Sequence, residues 1–205
     1  MTFFDRVAPR YDRTFAPGAN DTASDLAPLL AGRTGVALDL GCGTGRAFPH
    51  LLSANLRVVG LDASLPMLQE ASRRASTRDV ARVRADLYRR WPLRDASVDV
   101  ILALHSVLAH PPGEPSAAWA HVGAEIRRVA REGALCILDL PEPAWAAAHL
   151  RRAGEDRYWF EDRGVAIEAV IPEPAVVVAA LGLSLTMTPG PLGVRAIGRS
   201  IRGRS

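Results

Sequence analysis

Along the middle of the chain, short apolar runs alternate with stretches whose apolar residues recur at helical spacing. Residues 34–40, TGVALDL, are an apolar run ending at glycines and predict a first buried strand. A helix is expected over about 45–54, a second strand over 56–61, and a helix from Ser64 to about Ser76. Ser64 is placed to cap that helix, with Leu65, Leu68 and Ala71 expected on its buried side. Residues 80–84 alternate as a third strand, and 98–104 form a fourth. A long helix over about 116–131 stops at Gly133, and a fifth strand spans 134–139. Strands separated by helices in this rhythm predict an α/β fold with a mostly parallel sheet.

Beyond Leu140 the pattern changes. Pro141, Pro143, Pro172 and Pro174 punctuate the chain, and two helices are expected near 143–152 and 173–181. Residues 158–170 read as extended. Residues 183–188 and 193–199 read as two late strands joined by a Pro189-Gly190-Pro191 turn. Ahead of the first strand, helices are expected at about 2–13 and 21–31. No internal repeat or low-complexity linker interrupts this order, so one domain is expected over 1–205. It divides into an N-terminal helical lid (1–33), a core (34–140) and a substrate-side segment with the last two strands (141–205).

Composition narrows the setting. The chain has 205 residues, 48% hydrophobic and 23% charged, enough for a core that needs no disulfide. No window reaches the roughly 18 apolar residues of a membrane helix. Met1 to Arg13 carries acids among its arginines and has no secretory h-region, so a cytoplasmic location is expected. Cys42 and Cys136 sit in apolar segments without metal-ligand spacing; both read as reduced packing residues, and no metal is expected. All 25 basic residues are arginine, for a net charge of +3. They are scattered except at the end, where Arg195, Arg199, Arg202 and Arg204 read as a solvated tail.

The chemistry begins where the first strand turns into the first helix, at Asp39-Leu-Gly41-Cys-Gly43-Thr-Gly45. Glycines there let the backbone turn sharply and let a ligand approach without a Cβ in the way. The spacing is G-x-G-x-G, not the G-x-G-x-x-G of dinucleotide folds. Asp39 would face any pyrophosphate, and two like charges about 4 Å apart cost about 1 to 4 kcal/mol. A ligand whose end carries an ammonium is favoured instead, which suits S-adenosylmethionine better than NAD. Asp62 ends the second strand 23 residues later, where a carboxylate can accept from both ribose hydroxyls. Asp86 closes the third strand on the same edge and can accept from an adenine amino group.

Four segments, in order, carry a family resemblance. Residues 36–45 (VALDLGCGTG) resemble the first motif of class I S-adenosylmethionine-dependent methyltransferases. Residues 59–64 (VGLDAS), followed by Met67-Leu68, resemble the second. Residues 84–87 and 91–101 resemble the segment that covers adenine and enters the fourth strand, and 125–133 the junction into the fifth. The resemblance implies a Rossmann-like, doubly wound, seven-stranded sheet with its last strand antiparallel. It also implies that Asp39, Gly41 and Gly43 hold the methionine end, that Asp62 and Ala63 hold the ribose, and that Asp86 and Leu87 frame the adenine. Within the class the type 11 small-molecule group is nearest. Residues 4–12 (FDRVAPRYD) resemble the N-terminal segment of quinone-biosynthesis methyltransferases and their relatives, which implies that Tyr11 lies near the sulfonium. After Leu140 the likeness to the quinone enzymes stops.

On the acceptor side, methyl transfer is in-line displacement at carbon, and the protein mostly orients the acceptor. A base helps where the acceptor sheds a proton. His105, just after the fourth strand, and His110 are the candidates. Residues 110–113, HPPG, lack the amide or acid and the aromatic of nucleic-acid amino-methyltransferase motifs, and read as a loop breaker. The acceptor pocket should draw on the N-terminal helices, the loop after the fourth strand and the segment after the fifth, with Trp145, Tyr158, Trp159 and Phe160 as aromatic candidates. A small, partly apolar acceptor is expected. A methyltransferase for RNA or protein, and a module that binds the cofactor without transfer, are the alternatives. The first of these calls for a dense basic face or an added recognition domain, and neither stands out.

Overall fold

A computed structural model describes residues 1–15, 24–74 and 79–199. Five parallel strands form most of one sheet: β1 (Val36–Leu40), β2 (Arg57–Asp62), β3 (Ala81–Arg84), β4 (Val98–Ala103) and β5 (Ala130–Pro141). Two more strands, β9 (Thr186–Gly190) and β10 (Gly193–Arg199), complete it in the order β3-β2-β1-β4-β5-β10-β9, and the last strand in the chain, β10, runs antiparallel to both its neighbours. The chain winds outward from β1 to β3, then crosses back to β4. The order reverses between β1 and β4, and ligands of such sheets bind outside the carboxyl ends of the strands at that switch point.

The central strands β1 and β4 and the later part of β5 are mostly apolar and buried, as expected where helices cover both faces. Side chains alternate between two cores. Leu38, Leu40, Ile101 and Leu138 face α6 (Pro115–Val129) and α8 (Pro174–Leu181), where Trp119, Val122, Ile126 and Leu181 fill one core. Ala37, Val100, Leu102 and Ile137 face the other way, toward Phe48 and Leu51 of α4 (Phe48–Ser53) and Leu68 of α5 (Leu65–Arg73). The buried Trp91 and Trp119 keep their indole N–H groups satisfied on the Leu87 and Leu108 carbonyls. Glu125, in the segment leading into β5, accepts from the Trp91 backbone N–H at 2.8 Å and from Arg128, tying α6 to the loop before β4.

Most predicted elements are present, with informative differences. Ser64 caps α5 through the Met67 N–H, but Leu65 is 44% exposed and Met67 takes its place on the buried side with Leu68 and Ala71. Pro66 sits in the first turn, where its missing N–H costs nothing. Helix α6 ends two residues early and β5 starts at Ala130, because the strand pairs with β4 from its first residue. Residues 158–170 become a hairpin, β7 (Arg157–Asp162) and β8 (Val165–Val170), turning at Arg163-Gly164. It pairs with β6 (Arg151–Arg152) in a separate three-stranded sheet, after α7 (Pro143–His149). The N-terminal helix is broken into α1 (Phe3–Val7), a tight turn and α2 (Tyr11–Phe15). Part of the second predicted helix, residues 21–23, lies outside the described residues; the rest is a turn at Ser24–Leu26 and α3 (Ala27–Leu30). Arg195 is no tail residue. It lies in β10 and is 4% exposed; Arg202 and Arg204 lie outside the described residues.

Candidate functional site

The glycine turn follows β1. Gly41, Gly43 and Gly45 all have positive φ (59°, 53° and 75°), a conformation that costs other residues steric strain. Their surroundings differ. A Cβ on Gly41 would lie 1.8 Å from a methyl of Val107, so the turn after β4 is packed directly onto it. A Cβ on Gly43 would meet nothing closer than the Gly41 carbonyl at 3.9 Å. Gly43 is therefore the open face of the turn, where a ligand can approach backbone.

Two carboxylates lie beside this turn. Asp62, at the end of β2, accepts the Gly43 N–H on one oxygen and the Ser64 N–H on the other, each at 2.8 Å. It thus clamps the β1 and β2 loops together and keeps lone pairs for further donors. Burial raises its pKa, and those backbone donors oppose the rise. Asp39, in β1, is 3% exposed, and among the described residues no donor reaches its carboxylate. Burial first, and the Asp62 charge second, push its pKa up to about 8. A buried carboxylate without a partner is costly unless a cation completes it. An open glycine, a clamped acid and an orphan acid fit a ligand with an ammonium on one end and a ribose on the other. The structure thus brings Asp39, Gly43 and Asp62 to one place.

Ala63 is exposed beside Asp62, and Leu87 is buried. Asp86 is exposed, accepts the Tyr88 N–H at 2.9 Å and lies near Arg89. The structure thus gives Asp86 a turn-closing contact, with the rest of its carboxylate toward solvent.

The N-terminal lid is latched to this edge by residues the sequence reading passed over. Asp5 accepts the Ser64 hydroxyl at 2.7 Å. Asp12 accepts the Thr44 hydroxyl at 2.7 Å and pairs with Arg74, whose Nε donates to the Thr44 carbonyl. Asp5 and Asp12 are seven residues apart, a spacing that an unbroken helix would place on one face, and that spacing was the available signal. Arg10 pairs with Asp162 and joins the lid to the hairpin.

Under the lid the surroundings become aromatic. Phe3, Phe4, Tyr11 and Phe15 pack with Val7, Met67, Phe160, Val165 and Ile167. Tyr11 lies 5.2 Å from Phe15 between ring centroids, and burial, with the Arg46 charge opposing and Asp62 adding, pushes its hydroxyl up to about 12. His110 meets the edges of Phe4 and Phe160 at 5.4 and 5.5 Å, and its Nδ1 lies 2.9 Å from the Glu168 carbonyl. A carbonyl only accepts, so Nδ1 carries the hydrogen and the neutral ring leaves Nε2 as a lone-pair acceptor. Burial lowers the His110 pKa, against that hydrogen bond, and keeps the ring neutral at pH 7.

His105 and Ser106 follow β4 with successive positive φ values of 56° and 62°, a strained turn for residues with side chains. Of the four aromatic candidates, Phe160 joins the lid cluster. Tyr158 points into the small sheet's own core with its hydroxyl 3.5 Å from the Pro143 carbonyl. Trp159, on the opposite face of β7, lies under Arg151, and Trp145 stacks on His149. Strand alternation puts Trp159 opposite Tyr158 and Phe160, and Phe160 borders both the small-sheet core and the lid cluster. Both cysteines are buried, and burial raises both thiols, Cys136 to about 12, which suits packing and not nucleophilic work. Among the described residues no cluster of three His, Cys, Asp or Glu could hold a metal, and no helix is long and apolar enough to cross a membrane.

Residues 38–138 match the methyltransferase-domain family model. The chain is 36% identical over 148 residues to the cypemycin N-terminal methyltransferase of a Streptomyces species, covering 69% of this chain and 54% of that one. It is 36% identical over 112 residues to an uncharacterised 37.1 kDa protein in transposon Tn4556 of Streptomyces fradiae, covering 53% of this chain. The chain spans 30% of the transposon protein's length and 54% of the cypemycin enzyme's. Among solved structures, a complex of DhpI with SAM and HEP is similar over 95% of this chain and 93% of that one, with 27% identity and a TM-score of 0.69.

Proposed function

This chain belongs to the class I S-adenosylmethionine-dependent methyltransferases of the type 11 group, and from that premise we propose that it methylates a small-molecule acceptor held beneath the lid. The observation that carries the reading is the pairing of an open, left-handed Gly43 with the orphan Asp39 carboxylate. S-adenosylmethionine brings an activated methyl on a sulfonium, a leaving group that needs no protonation.

The chain's own residues then do three things. Asp39 neutralises the amino-acid ammonium, while Gly41 and Gly43 let backbone approach the methionine end. Asp62 receives the ribose hydroxyls on its remaining lone pairs, beside Ala63, and Asp86 with Leu87 borders the adenine. Tyr11 closes over the sulfonium end, carried there by the Asp5 and Asp12 latches. The Phe4, Phe15 and Phe160 walls exclude water and orient an apolar part of the acceptor.

His110 is the general base in this reading, since its tautomer leaves Nε2 free to take the proton an N–H or O–H acceptor sheds as it gains the methyl. His105, at the carboxyl end of β4, positions the acceptor. An amine is the first acceptor class to try, because the cypemycin relative is named for N-terminal methylation.

Titration calorimetry tests the reading. S-adenosylmethionine and S-adenosylhomocysteine should both bind, and NADH, followed by fluorescence, should not. Binding of NADH with no uptake of either sulfur compound overturns it.

A further inference from the structure

Asp139, on β5, is 1% exposed, and Arg195 stands directly opposite it on β10, 4% exposed. The Arg195 Nε donates to one Asp139 oxygen at 2.7 Å and Nη2 to the other at 3.2 Å, a two-pronged pair inside the sheet. Such a buried pair carries a desolvation cost that its attraction offsets only in part, so stability alone is a weak reason to keep it. A third donor reaches the same carboxylate: the backbone N–H of His105. His105 opens the two-residue left-handed turn after β4, the most strained segment of the site. That turn carries Val107, whose methyl covers Gly41, and the 107–110 segment that follows. Leu108 within it receives the Trp119 and Tyr88 side chains on its carbonyl.

We propose that Arg195 is a positioning residue for the cofactor site. It fixes the Asp139 carboxylate, which holds the strained His105–Ser106 turn, which in turn presses Val107 onto the glycine loop. The strain is maintained by an ion pair from the last, antiparallel strand, the element farthest along the chain from the glycine motif. This inference rests on the reading of the site as an S-adenosylmethionine site.

The test uses calorimetry with S-adenosylhomocysteine on the whole chain, beside thermal unfolding. Arg195→Met should weaken binding about tenfold, and Arg195→Lys, which keeps the charge, should recover it to within about threefold. Val107→Ala should by itself weaken binding by a similar factor. Adding Arg195→Met to Val107→Ala should then change little, since both act along one line of contacts. If Arg195→Met fails to fold, Arg195→Lys and Val107→Ala carry the test: normal binding by Val107→Ala overturns the inference. A folded Arg195→Met that melts earlier yet binds with wild-type affinity also overturns it and leaves the pair as a tether between strands. Absence of binding by the wild-type chain would instead sink the functional reading.

Discussion

The ends of β1 and β5 each bury a carboxylate in the same sheet, and the two differ in what completes them. Asp139 meets Arg195 and a backbone N–H inside the fold. Asp39 meets no donor among the described residues. Burial raises both, but only at Asp39 does it act unopposed and take the pKa to about 8. A fold that satisfies one buried acid and leaves its counterpart open keeps the second for something that arrives from outside. In the proposed reading, the paired acid belongs to the frame of the site and the unpaired one to its ligand.

The sharpest way to break that contrast is Asp39→Asn. It should weaken S-adenosylmethionine binding by about 100-fold, the loss expected when one partner of a buried charge pair is removed. The same change should raise the thermal midpoint of the ligand-free chain, because a desolvated, partnerless carboxylate is gone. A variant that binds normally would show that Asp39 does not meet the ammonium.

Next in size is the glycine pair. Gly41→Ala should destabilise the chain by about 2 kcal/mol or more, since it adds left-handed strain to a clash with Val107. Gly43→Ala should cost about 1 kcal/mol of stability, for strain alone, and should lose more in cofactor affinity than in stability. Equal losses at the two positions by denaturant titration and calorimetry would remove Gly43 as the open face.

The pH dependence follows from the same acid. With a folded pKa of about 8 against an ordinary value of 3.8, the ligand-free chain holds one proton more than the unfolded chain between those values. Its stability should therefore fall as pH rises from about 4 to about 8. Binding of a cation requires the ionised form, so affinity should rise by up to about tenfold per pH unit below pH 8 and level off where the ligand's amino group loses its charge. Calorimetry in buffers of different ionisation enthalpy should detect the released proton at pH 7; no release would contradict the assignment.

The smallest effect concerns the lid. Ser64→Ala removes both the α5 cap and the hydroxyl that Asp5 accepts, and should cost about 1 kcal/mol in stability. Faster proteolytic cleavage within residues 1–15 should accompany it, and unchanged cleavage would show that the latch at Asp12 and Thr44 suffices.

Much of the fold was legible in the chain. Buried strands are mostly apolar runs, and the glycine turn and the Ser64 cap act over a few residues, so their signals are local. The late turn was misplaced: Pro189 and Gly190 pair within β9, and the chain turns at 191–192. The site was legible as far as motif spacing reaches: Asp39, Gly43 and Asp62 come together at the switch point as expected. The lid latches and the sorting of Tyr158, Trp159 and Phe160 were not, because nothing nearby in sequence says which face of a short, one-sided strand will be covered.

The sequence by itself determined the strand–helix rhythm, the place of the glycine turn and the acid that stands beside it, since each depends on neighbours a few positions away. Only the tertiary structure decided that Arg195 leaves the apparent tail to meet Asp139, 56 residues earlier, and that Asp5 and Asp12 reach Ser64 and Thr44. Those pairings are choices of partner among many similar charges. The chain's 25 arginines and 22 acids look alike until folding excludes water from a few of them.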